Sequence, residues 1–368
     1  MSGRTVYFTG PREVAVRDTS VSDPGPGELV VEATVSAISP GTELLLYRGE
    51  MSPGTAVDET LPSLSGSFSY PFPYGYATVG TVTAVGPEVD PAWHGETVLA
   101  FHPHASEFVV DVDAVSRVPD GVPPERAVFL PNVETAVTLT LDGEPAIGER
   151  AVVFGQGVIG LLTTALLSSF PLSELVTVDP LASRRDRSEA MGADRSVDPD
   201  AVDPTSLFAD GWTGDGAGGP SAAQSDSVTA TPQTGADDRD ESRWPGRADL
   251  TYELSGDPAA LDDAVDATGY DGRVVVGSWY GTKPTELSLD GRFHRSRIDI
   301  RASQVSTLAP ERRGRWTVGR RLATAWRRLR GIETDRLVTH RLPVTEAPDA
   351  YELLDRRPAE AVQVLLTY

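Results

Sequence analysis

One glycine-rich segment of the sequence has the spacing of a phosphate-binding loop. Residues 152–160 read VVFGQGVIG, between an apolar run typical of a buried strand and an apolar run of helix length. In such a loop Gly155 permits a tight turn, Gly157 lets a pyrophosphate approach the backbone, and Gly160 permits close packing of helix and strand. The predicted binding segment comprises Gly155, Gln156, Gly157, Val158 and Gly160.

An acidic residue follows the next strand-like run at a distance that suits a dinucleotide. Asp179 comes twenty-two residues after Gly157, where a carboxylate can accept hydrogen bonds from an adenosine ribose. Its charge would repel a 2′-phosphate, which favours NAD(H). Arg184 lies just beyond and could instead bind that phosphate, so NADP(H) remains an alternative. Methyltransferases and flavin-binding proteins can carry a similar loop and acid.

The composition excludes several classes of function. Thirty-two basic residues stand against fifty-four acidic ones, a net charge of −22, whereas nucleic-acid binding rests on surplus Lys and Arg. The chain has no cysteine, which excludes disulfides, thiolate zinc sites and a cysteine nucleophile. No apolar run reaches the ~18 residues of a membrane span, so we expect no membrane partner and a cytoplasmic protein.

The basic residues are almost all arginines, and Lys283 is the one lysine of the chain. Many carboxylates with almost no lysine favour solubility in concentrated salt, because carboxylates hold water and ions where long-range repulsion is screened. This pattern predicts a halophilic source. A GC-rich genome, which also enriches Arg, Ala, Gly and Asp, is the alternative.

The elements that must position these residues fall into two parts. Residues 1–118 hold short apolar runs separated by Pro and Gly, which is typical of a small β-barrel. From about residue 131 strand-like and helix-like runs alternate, which predicts βαβ units on a parallel sheet and an α/β fold class. Between Asp203 and Gly246 apolar residues are scarce, and we expect a disordered or loosely packed insertion.

Taken together, these features resemble the medium-chain dehydrogenase/reductase superfamily over nearly the whole chain. Besides the glycine loop and Asp179, the similar segments are 39–43 (SPGTE), 75–82 (GYATVGTV), 148–150 (GER), 190–194 (AMGAD), 254–256 (LSG) and 272–277 (GRVVVG). The resemblance implies a GroES-like β-barrel catalytic domain over 1–130, completed by 307–368, and a doubly wound Rossmann domain over 131–306. It also implies that Ser255 and Gly277 border the cofactor.

The sequence departs from the zinc-dependent relatives at their metal ligands. Pro40 stands where a cysteine precedes the Gly-Thr pair, and Tyr76 stands where those relatives have a histidine. Near the third position Glu134 is the only plausible donor, so we expect no zinc. The GTE motif, with 47–49 (YRG) and 293–295 (FHR), is most similar to the zinc-free branch that includes bacteriochlorophyllide a dehydrogenase.

Without zinc, hydroxyl and imidazole groups must polarise the substrate and move its proton. The resemblance places Thr42 where relatives have a hydroxyl that relays the alcohol proton, and the alternative is a helix N-cap. Glu43 either orients a neighbouring group or forms a structural salt bridge with an arginine, and we favour the salt bridge.

Tyr76 and His104 are the other candidate catalytic residues. The phenol of Tyr76 should point into the vacated metal site, where it either donates a proton to the substrate or fills the space with its ring. His104 is a candidate general acid near the expected cleft, and the alternative is a surface histidine or one that supports the site from behind. A metal site formed by His102, His104 and Glu107 is disfavoured by the intervening Pro103.

A basic cluster stands out against the acidic chain. Eight arginines lie within residues 312–330, and with Trp and Leu they form a strongly amphipathic helix over Thr317–Leu329. We favour guanidinium groups that pair with the protein's own carboxylates. The alternative is a surface that recognises an anionic substrate or an acidic partner.

The sequence therefore predicts a zinc-independent NAD(P)-dependent oxidoreductase. It would act on a small-molecule alcohol, carbonyl or enone, without nucleic acid, and as a homodimer. A dinucleotide-binding protein that kept the fold without the chemistry is the first alternative, and a transferase or flavin user on the same loop is the second.

Overall fold

The computed structural model describes residues 2–52, 54, 68–208 and 246–368. Most of the predicted insertion therefore lies outside the described residues. Its two ends are described and are packed: Leu207 and Phe208 are buried, and Phe208 forms a β-bridge with Gly246. The packed core thus extends further into the segment at 203–246 than its composition suggests.

The first part of the chain forms two sheets. A three-stranded antiparallel sheet has the order β2-β1-β4 and consists of β1 (Ser2–Gly10), β2 (Glu13–Ser20) and β4 (Phe72–Pro73). A seven-stranded sheet consists of β3 (Glu28–Ala37), β5 (Thr78–Val85), β6 (Thr97–Ala100), β7 (Glu107–Asp111), β8 (Val115–Arg117), β15 (Val338–Pro343) and β16 (Gln363–Thr367). Its order is β15-β16-β3-β5-β6-β8, with β7 paired to β3.

The seven-stranded sheet differs from one part of the sequence prediction. Its strands are paired as an open path with β7 beside β3, and within the described residues no closed barrel is formed. Strand β16 belongs to this sheet, because its last residues pair with Val35, Ser36 and Ala37 of β3. We call the elements around these two sheets the first lobe.

The middle of the chain forms a six-stranded parallel sheet, and we call the elements around it the second lobe. It consists of β9 (Arg150–Phe154), β10 (Glu174–Val178), β11 (Arg195–Val197), β12 (Ala248–Glu253), β13 (Thr268–Val276) and β14 (Asp299–Ala302). Every pairing in it is parallel. This confirms the predicted parallel sheet and the α/β class.

The strand order of this sheet determines where a ligand can bind. The order is β11-β10-β9-β12-β13-β14, so the chain leaves β9 in one direction and continues from β12 in the other. In doubly wound sheets the crevice lies outside the carboxyl ends of the strands at this switch point. Phe154 and Glu253 end the two strands there and are paired in register.

Helices cover the sheets and join the lobes. They are α1 (Thr42–Arg48), α2 (Pro124–Ala127), α3 (Leu130–Gly143), α4 (Val158–Leu167), α5 (Ala182–Ala190), α6 (Pro258–Ala267), α7 (Arg292–Arg295), α8 (Val318–Leu329) and α9 (Ala347–Arg356). Alternate residues of β9 face opposite sides: Ala151 and Val153 pack with Leu139 of α3, whereas Val152 and Phe154 pack on the side of α6. Both faces of the parallel sheet are therefore buried, as such sheets require. None of the described helices is both long and apolar enough to span a membrane.

Candidate active site

The glycine loop joins β9 to α4, and its glycines meet different surroundings. Gly155 has φ +84°, and a Cβ there would lie 2.4 Å from Ser255 Cα. A Cβ on Gly160 would lie 1.9 Å from the carbonyl oxygen of Gly155, whereas a Cβ on Gly157 would meet nothing within 4 Å. The space above Gly157, at the N-terminus of α4, is thus open, and it fits a pyrophosphate held by backbone N–H groups.

Asp179 follows β10 and faces this loop. Its carboxylate is 2% exposed and accepts hydrogen bonds from the N–H groups of Gln156 at 2.7 Å and Leu181 at 2.9 Å. Since an ionised carboxylate has about four acceptor positions, two remain for a ribose. The side chain of Gln156 is turned into the core, where its amide donates to Val153 O and accepts from Thr164. Gln156 thus contributes its backbone, and not its side chain, to the glycine loop.

Arg184 lies beside Asp179. One of its terminal nitrogens is 3.9 Å from the Asp179 carboxylate, and the other donates to Pro358 O at 3.3 Å. Burial lowers the pKa of Arg184, and Asp179 opposes that shift. Arg185, by contrast, is occupied by an ion pair with Asp198 at 3.0 Å. The role of Arg184 toward a 2′-phosphate stays a prediction.

Ser255 and Gly277 lie together at the carboxyl edge of the sheet because both contact Glu253. Glu253 Oε1 accepts hydrogen bonds from Ser255 N–H at 2.8 Å and Ser255 Oγ at 2.5 Å, and its backbone oxygen accepts from Gly277 N–H at 3.0 Å. Tyr280 donates to the other carboxylate oxygen. The sequence analysis missed Glu253, although a charged residue that ends an apolar strand-like run is a detectable signal.

Three hydroxyl groups meet in the first lobe around Tyr76, the residue that the resemblance aligned with a histidine ligand of the zinc-dependent relatives. Tyr76 donates to Ser39 Oγ at 2.5 Å, and Thr42 also hydrogen-bonds the phenol. Thr42 is the first residue of α1, whose N-cap is Gly41 without a side-chain cap, so the N-cap alternative for Thr42 is wrong. Ser39, which the sequence analysis did not single out as a site residue, completes the group.

Glu43 lies directly behind these hydroxyls in a buried polar network. Its Oε1 accepts from Ser39 N–H at 2.8 Å, and its Oε2 accepts from Tyr351 and lies 3.1 Å from His104 Nε2. Glu43 and His104 are fully buried. Within the described residues no arginine pairs with Glu43, so the favoured salt bridge is wrong, and so is the surface position for His104.

The hydrogen-bond directions of this network follow from its chemistry. A carboxylate can only accept, so His104 Nε2 carries the proton. His104 Nδ1 then accepts from Ser36 Oγ at 2.7 Å, which leaves Ser36 to accept from Tyr368 at 2.8 Å. With Nε2 donating to Glu43 and Nδ1 accepting from Ser36, both ring nitrogens of His104 have a partner. The contacts of His104 fit the alternative of a histidine that supports the site from behind.

The surroundings of Tyr76 keep its phenol protonated. Burial and the negative charge of Glu43 raise the pKa of Tyr76 to about 12, against the hydrogen bonds of Ser39 and Thr42. Its ring also packs against the apolar cluster that contains Val158 of the glycine loop. The candidate proton donor and the start of α4 thus border one cluster.

The remaining candidate ligands are occupied by other contacts. His102 stacks on Phe108 with ring centroids 3.9 Å apart, and burial lowers the pKa of His102 to about 4. Glu134 forms a buried ion pair with Arg321 of α8 at 3.0 Å. Across the described ranges no three His, Asp or Glu side chains are grouped to hold a metal.

The arginine cluster is divided between paired and exposed members. Arg321 pairs with Glu134, and Arg312 pairs with Glu144 at 2.7 Å. Arg320 stacks on Trp316 at 4.4 Å. The exposed members, for which the described part of the chain offers no carboxylate within 4 Å, are Arg313, Arg315, Arg327, Arg328 and Arg330. Internal pairing therefore accounts for part of the cluster only.

Comparison with known proteins gives relatives along the whole chain. No family model matches. The 2-desacetyl-2-hydroxyethyl bacteriochlorophyllide A dehydrogenases of Cereibacter sphaeroides and Rhodobacter capsulatus are 24% and 26% identical and align with 95% and 96% of this chain and 94% of their own. The L-threonine 3-dehydrogenase of Thermococcus kodakarensis is 24% identical over 74% of this chain and 73% of its own.

Solved structures share the fold. A short chain alcohol dehydrogenase of Escherichia coli CFT073 complexed with NADH has a TM-score of 0.72 at 18% identity, with 100% of this chain and 99% of that chain covered. A putative zinc-binding dehydrogenase of Sinorhizobium meliloti 1021 bound to NADP has a TM-score of 0.73 at 20% identity, with both chains fully covered. The chain thus shares the fold of these dehydrogenases. Because the relatives aligned along the chain are dehydrogenases, the protein is an NAD(P)-dependent oxidoreductase.

Proposed function

We propose that the protein reduces a small-molecule carbonyl or enone without zinc, with Tyr76 as the proton donor. The observation that carries this proposal is the hydroxyl group of Tyr76, which is held by Ser39 and Thr42; the resemblance adds that zinc-dependent relatives have a histidine ligand in its place. A phenol can polarise a carbonyl oxygen and then donate its proton to it.

The site's own residues account for the proton in this reaction. Tyr76 would hydrogen-bond the substrate oxygen and transfer its proton as negative charge develops there. Ser39 and Thr42 would stabilise the resulting phenolate, since both hydroxyls can donate to it. Burial and the negative charge of Glu43 raise the pKa of Tyr76, so the phenol carries the proton that reduction consumes. Removal of a proton from an alcohol would instead require the phenolate as the starting form, which the same surroundings disfavour.

The residues of the glycine loop fit a nicotinamide dinucleotide. Open space above Gly157 would take the pyrophosphate, and the free acceptor positions of Asp179 would take the adenosine ribose. When bound, the nicotinamide ring supplies the hydride that the substrate carbon receives. The buried negative charge of Asp179 supports a preference for NAD(H), with NADP(H) as the alternative because Arg184 lies 3.9 Å away.

The donor set does not fit a catalytic zinc. The side chain of Pro40 has no donor atom. The pKa of Tyr76 is about 12, so its phenol stays protonated, and Glu134 is paired with Arg321. Zinc sites need deprotonated and unpaired N, O or S ligands. The proposed reaction therefore has no metal-dependent step.

The setting of the reaction is also part of the proposal. The net charge of −22 with one lysine supports a salt-adapted organism, and the relatives, which are named as dehydrogenases, support a small-molecule substrate. A homodimer is also part of the proposal, and the sheet edges at which a second copy would pair are β14 and β11, each of which has one partner among the described strands.

The test is a comparison of Tyr76→Phe with the wild-type protein on a panel of carbonyls and enones. We expect Tyr76→Phe to lower kcat for carbonyl reduction roughly 100-fold or more while NADH affinity changes less than twofold. Because reduction needs the protonated phenol, the wild-type rate should show no inflection from Tyr76 between pH 6 and about 10. Tyr70→Phe serves as the matched control, because it removes the hydroxyl of another part-buried tyrosine, one that donates to Leu46 O.

Three results would contradict the proposal. Full activity of Tyr76→Phe would remove its role as donor, and a rate lost on strong chelation would restore a metal. A wild-type protein that binds NADH tightly but reduces nothing in the panel would favour the non-catalytic dinucleotide-binding alternative.

A further inference from the structure

The single lysine of the chain lies between the two lobes. Lys283 lies in the loop after β13, and its Nζ donates to Gly256 O of the second lobe at 3.1 Å. The same Nζ lies 3.7 Å from Glu50 Oε2 of the first lobe. One ammonium group therefore contacts both lobes.

The backbone makes a second contact at the same place. Thr282 N–H donates to Glu50 O at 3.0 Å. Gly281 has φ +64°, and a Cβ there would lie 2.2 Å from Glu50 O. Only glycine permits both this conformation and this approach. The lobes thus contact through main chain and side chain over 281–283.

This contact is tied to both halves of the candidate site. Its second-lobe side is the carboxyl edge of the sheet, where Gly256 N–H donates to Ser278 Oγ at 2.9 Å. Its first-lobe side, Glu50, follows α1, and the first turn of α1 carries Thr42 and Glu43. A helix of seven residues is about 10 Å long and rigid on this scale.

We propose that Lys283 and Glu50 form a positioning pair that fixes α1 against the cofactor edge of the second lobe. The pair thereby sets the distance between the Tyr76 hydroxyl and a cofactor bound at the glycine loop. This inference rests on the proposed function, because it assigns the pair a task in that reaction.

The chemistry of lysine suits this position. An ammonium is a compact charge with three donors, whereas a guanidinium is planar and longer. The single Nζ atom of Lys283 contacts a carbonyl oxygen of one lobe and a carboxylate of the other. The longer side chain of an arginine would need more space between the lobes at this point. Both members are about one-third exposed, so solvent screens the pair and it adds little to the free energy of unfolding. Its effect should appear in catalysis.

The first experiment separates kcat from binding. In Lys283→Met and Lys283→Arg we expect kcat for carbonyl reduction to fall about tenfold or more, with the NADH Kd within twofold and the Tm unchanged. Arg297→Met removes an exposed basic residue of the same lobe and should retain wild-type kcat. Wild-type kcat in both Lys283 variants would overturn the positioning role.

A steric variant tests the same contact without touching the charges. Gly281→Ala should lower kcat because its Cβ must push Glu50 away. Gly291→Ala is the matched control, since a Cβ at Gly291 meets nothing within 4 Å. Equal kcat values for Gly281→Ala, Gly291→Ala and wild type would overturn the inference.

A chemical measurement tests the contact independently of activity. Lys283 is the only side-chain amine, so reductive methylation with ¹³C-formaldehyde followed by peptide mass spectrometry reports on it alone. We expect methylation at least fivefold slower than that of Nα-acetyl-lysine amide in the wild type, and faster in Glu50→Gln and Gly281→Ala. Equal rates in all proteins would show that the contact does not form, whatever the activity. If the wild-type protein methylates slowly at Lys283 but reduces no substrate, the contact between Lys283 and Glu50 is confirmed and the proposed function is overturned.

Discussion

At the scale of single residues, three glycines of one loop are held by different constraints. Gly155 and Gly160 are required by the protein itself, because a Cβ on either would meet main-chain atoms at 2.4 Å and 1.9 Å. Gly157 has open space and an ordinary φ of −73°. Its lack of a side chain therefore matters for a ligand and not for folding.

This difference gives the first prediction. Gly157→Val should fold with a Tm close to that of the wild type, while NADH affinity falls at least 100-fold because the side chain fills the space for the pyrophosphate. Fluorescence titration with NADH and thermal unfolding measure the two effects. Gly160→Ala is the control, and we expect it to lose the folded state. Wild-type NADH affinity in Gly157→Val would refute the placement of the cofactor.

The candidate site was only partly predictable at this scale. The loop and Asp179 lie within thirty residues of each other, so the dinucleotide site could be predicted from their spacing in the sequence. The partner of Glu43 is Tyr351, 308 residues away, and no local pattern indicates that a carboxylate will meet a phenol from the C-terminal helix. Glu43 was for this reason assigned an arginine that it does not contact.

At the scale of elements, α3 and α8 are linked by a buried ion pair in addition to their apolar packing. Arg321 is 3% exposed and bonds the Glu134 carboxylate, and burial raises the pKa of Glu134 although Arg321 opposes the shift. Loss of one partner would leave a buried charge without compensation, which typically costs ~3–5 kcal/mol.

The second prediction follows from this pair. Arg321→Ala should lower the free energy of unfolding by about 3 kcal/mol, as measured by urea denaturation. Arg320→Ala, on the exposed side of the same helix, should change it by less than ~0.5 kcal/mol. Similar values for both variants would mean that the pair adds nothing beyond a surface arginine.

The same two helices show why some elements were predicted and others not. The alternation of arginine with Leu and Trp indicated α8, because one face is apolar and the other charged. Helix α3 gave no such signal, since it is buried almost all round and rich in β-branched residues. Thr135, Thr138 and Thr140 bond carbonyl oxygens four residues earlier, a bond that is neutral or unfavourable for an isolated helix. Tertiary packing, not local preference, forms α3.

At the scale of the whole molecule, the net charge of −22 is the dominant electrostatic property. Self-repulsion destabilises a compact state, and salt reduces this repulsion by shortening the screening length from ~10 Å at 0.1 M to ~3 Å at 1 M.

The arrangement of βαβ units could be predicted from the sequence, because it depends on the local alternation of strand-like and helix-like runs. The pairing of strands in the first lobe could not, since β3 meets partners from three distant segments.

The third prediction concerns this charge. Raising KCl from 0.1 M to 2 M should increase the Tm by at least about 4 °C, measured by circular dichroism. A sucrose series of matched viscosity separates screening from general solute effects. A Tm that is unchanged or lower in KCl would favour the explanation by a GC-rich genome.

The pairing of β3 with β16 has a consequence for how the chain is made. The partners of Val35–Ala37, which are Leu365–Thr367, are synthesised about 330 residues after them. At ~5–20 residues per second this interval is roughly 15–65 s. During that time the carboxyl half of β3 has one edge without its partner, and unpaired strand edges promote aggregation. The nascent protein should therefore depend on chaperones until β16 has been synthesised and pairs with β3.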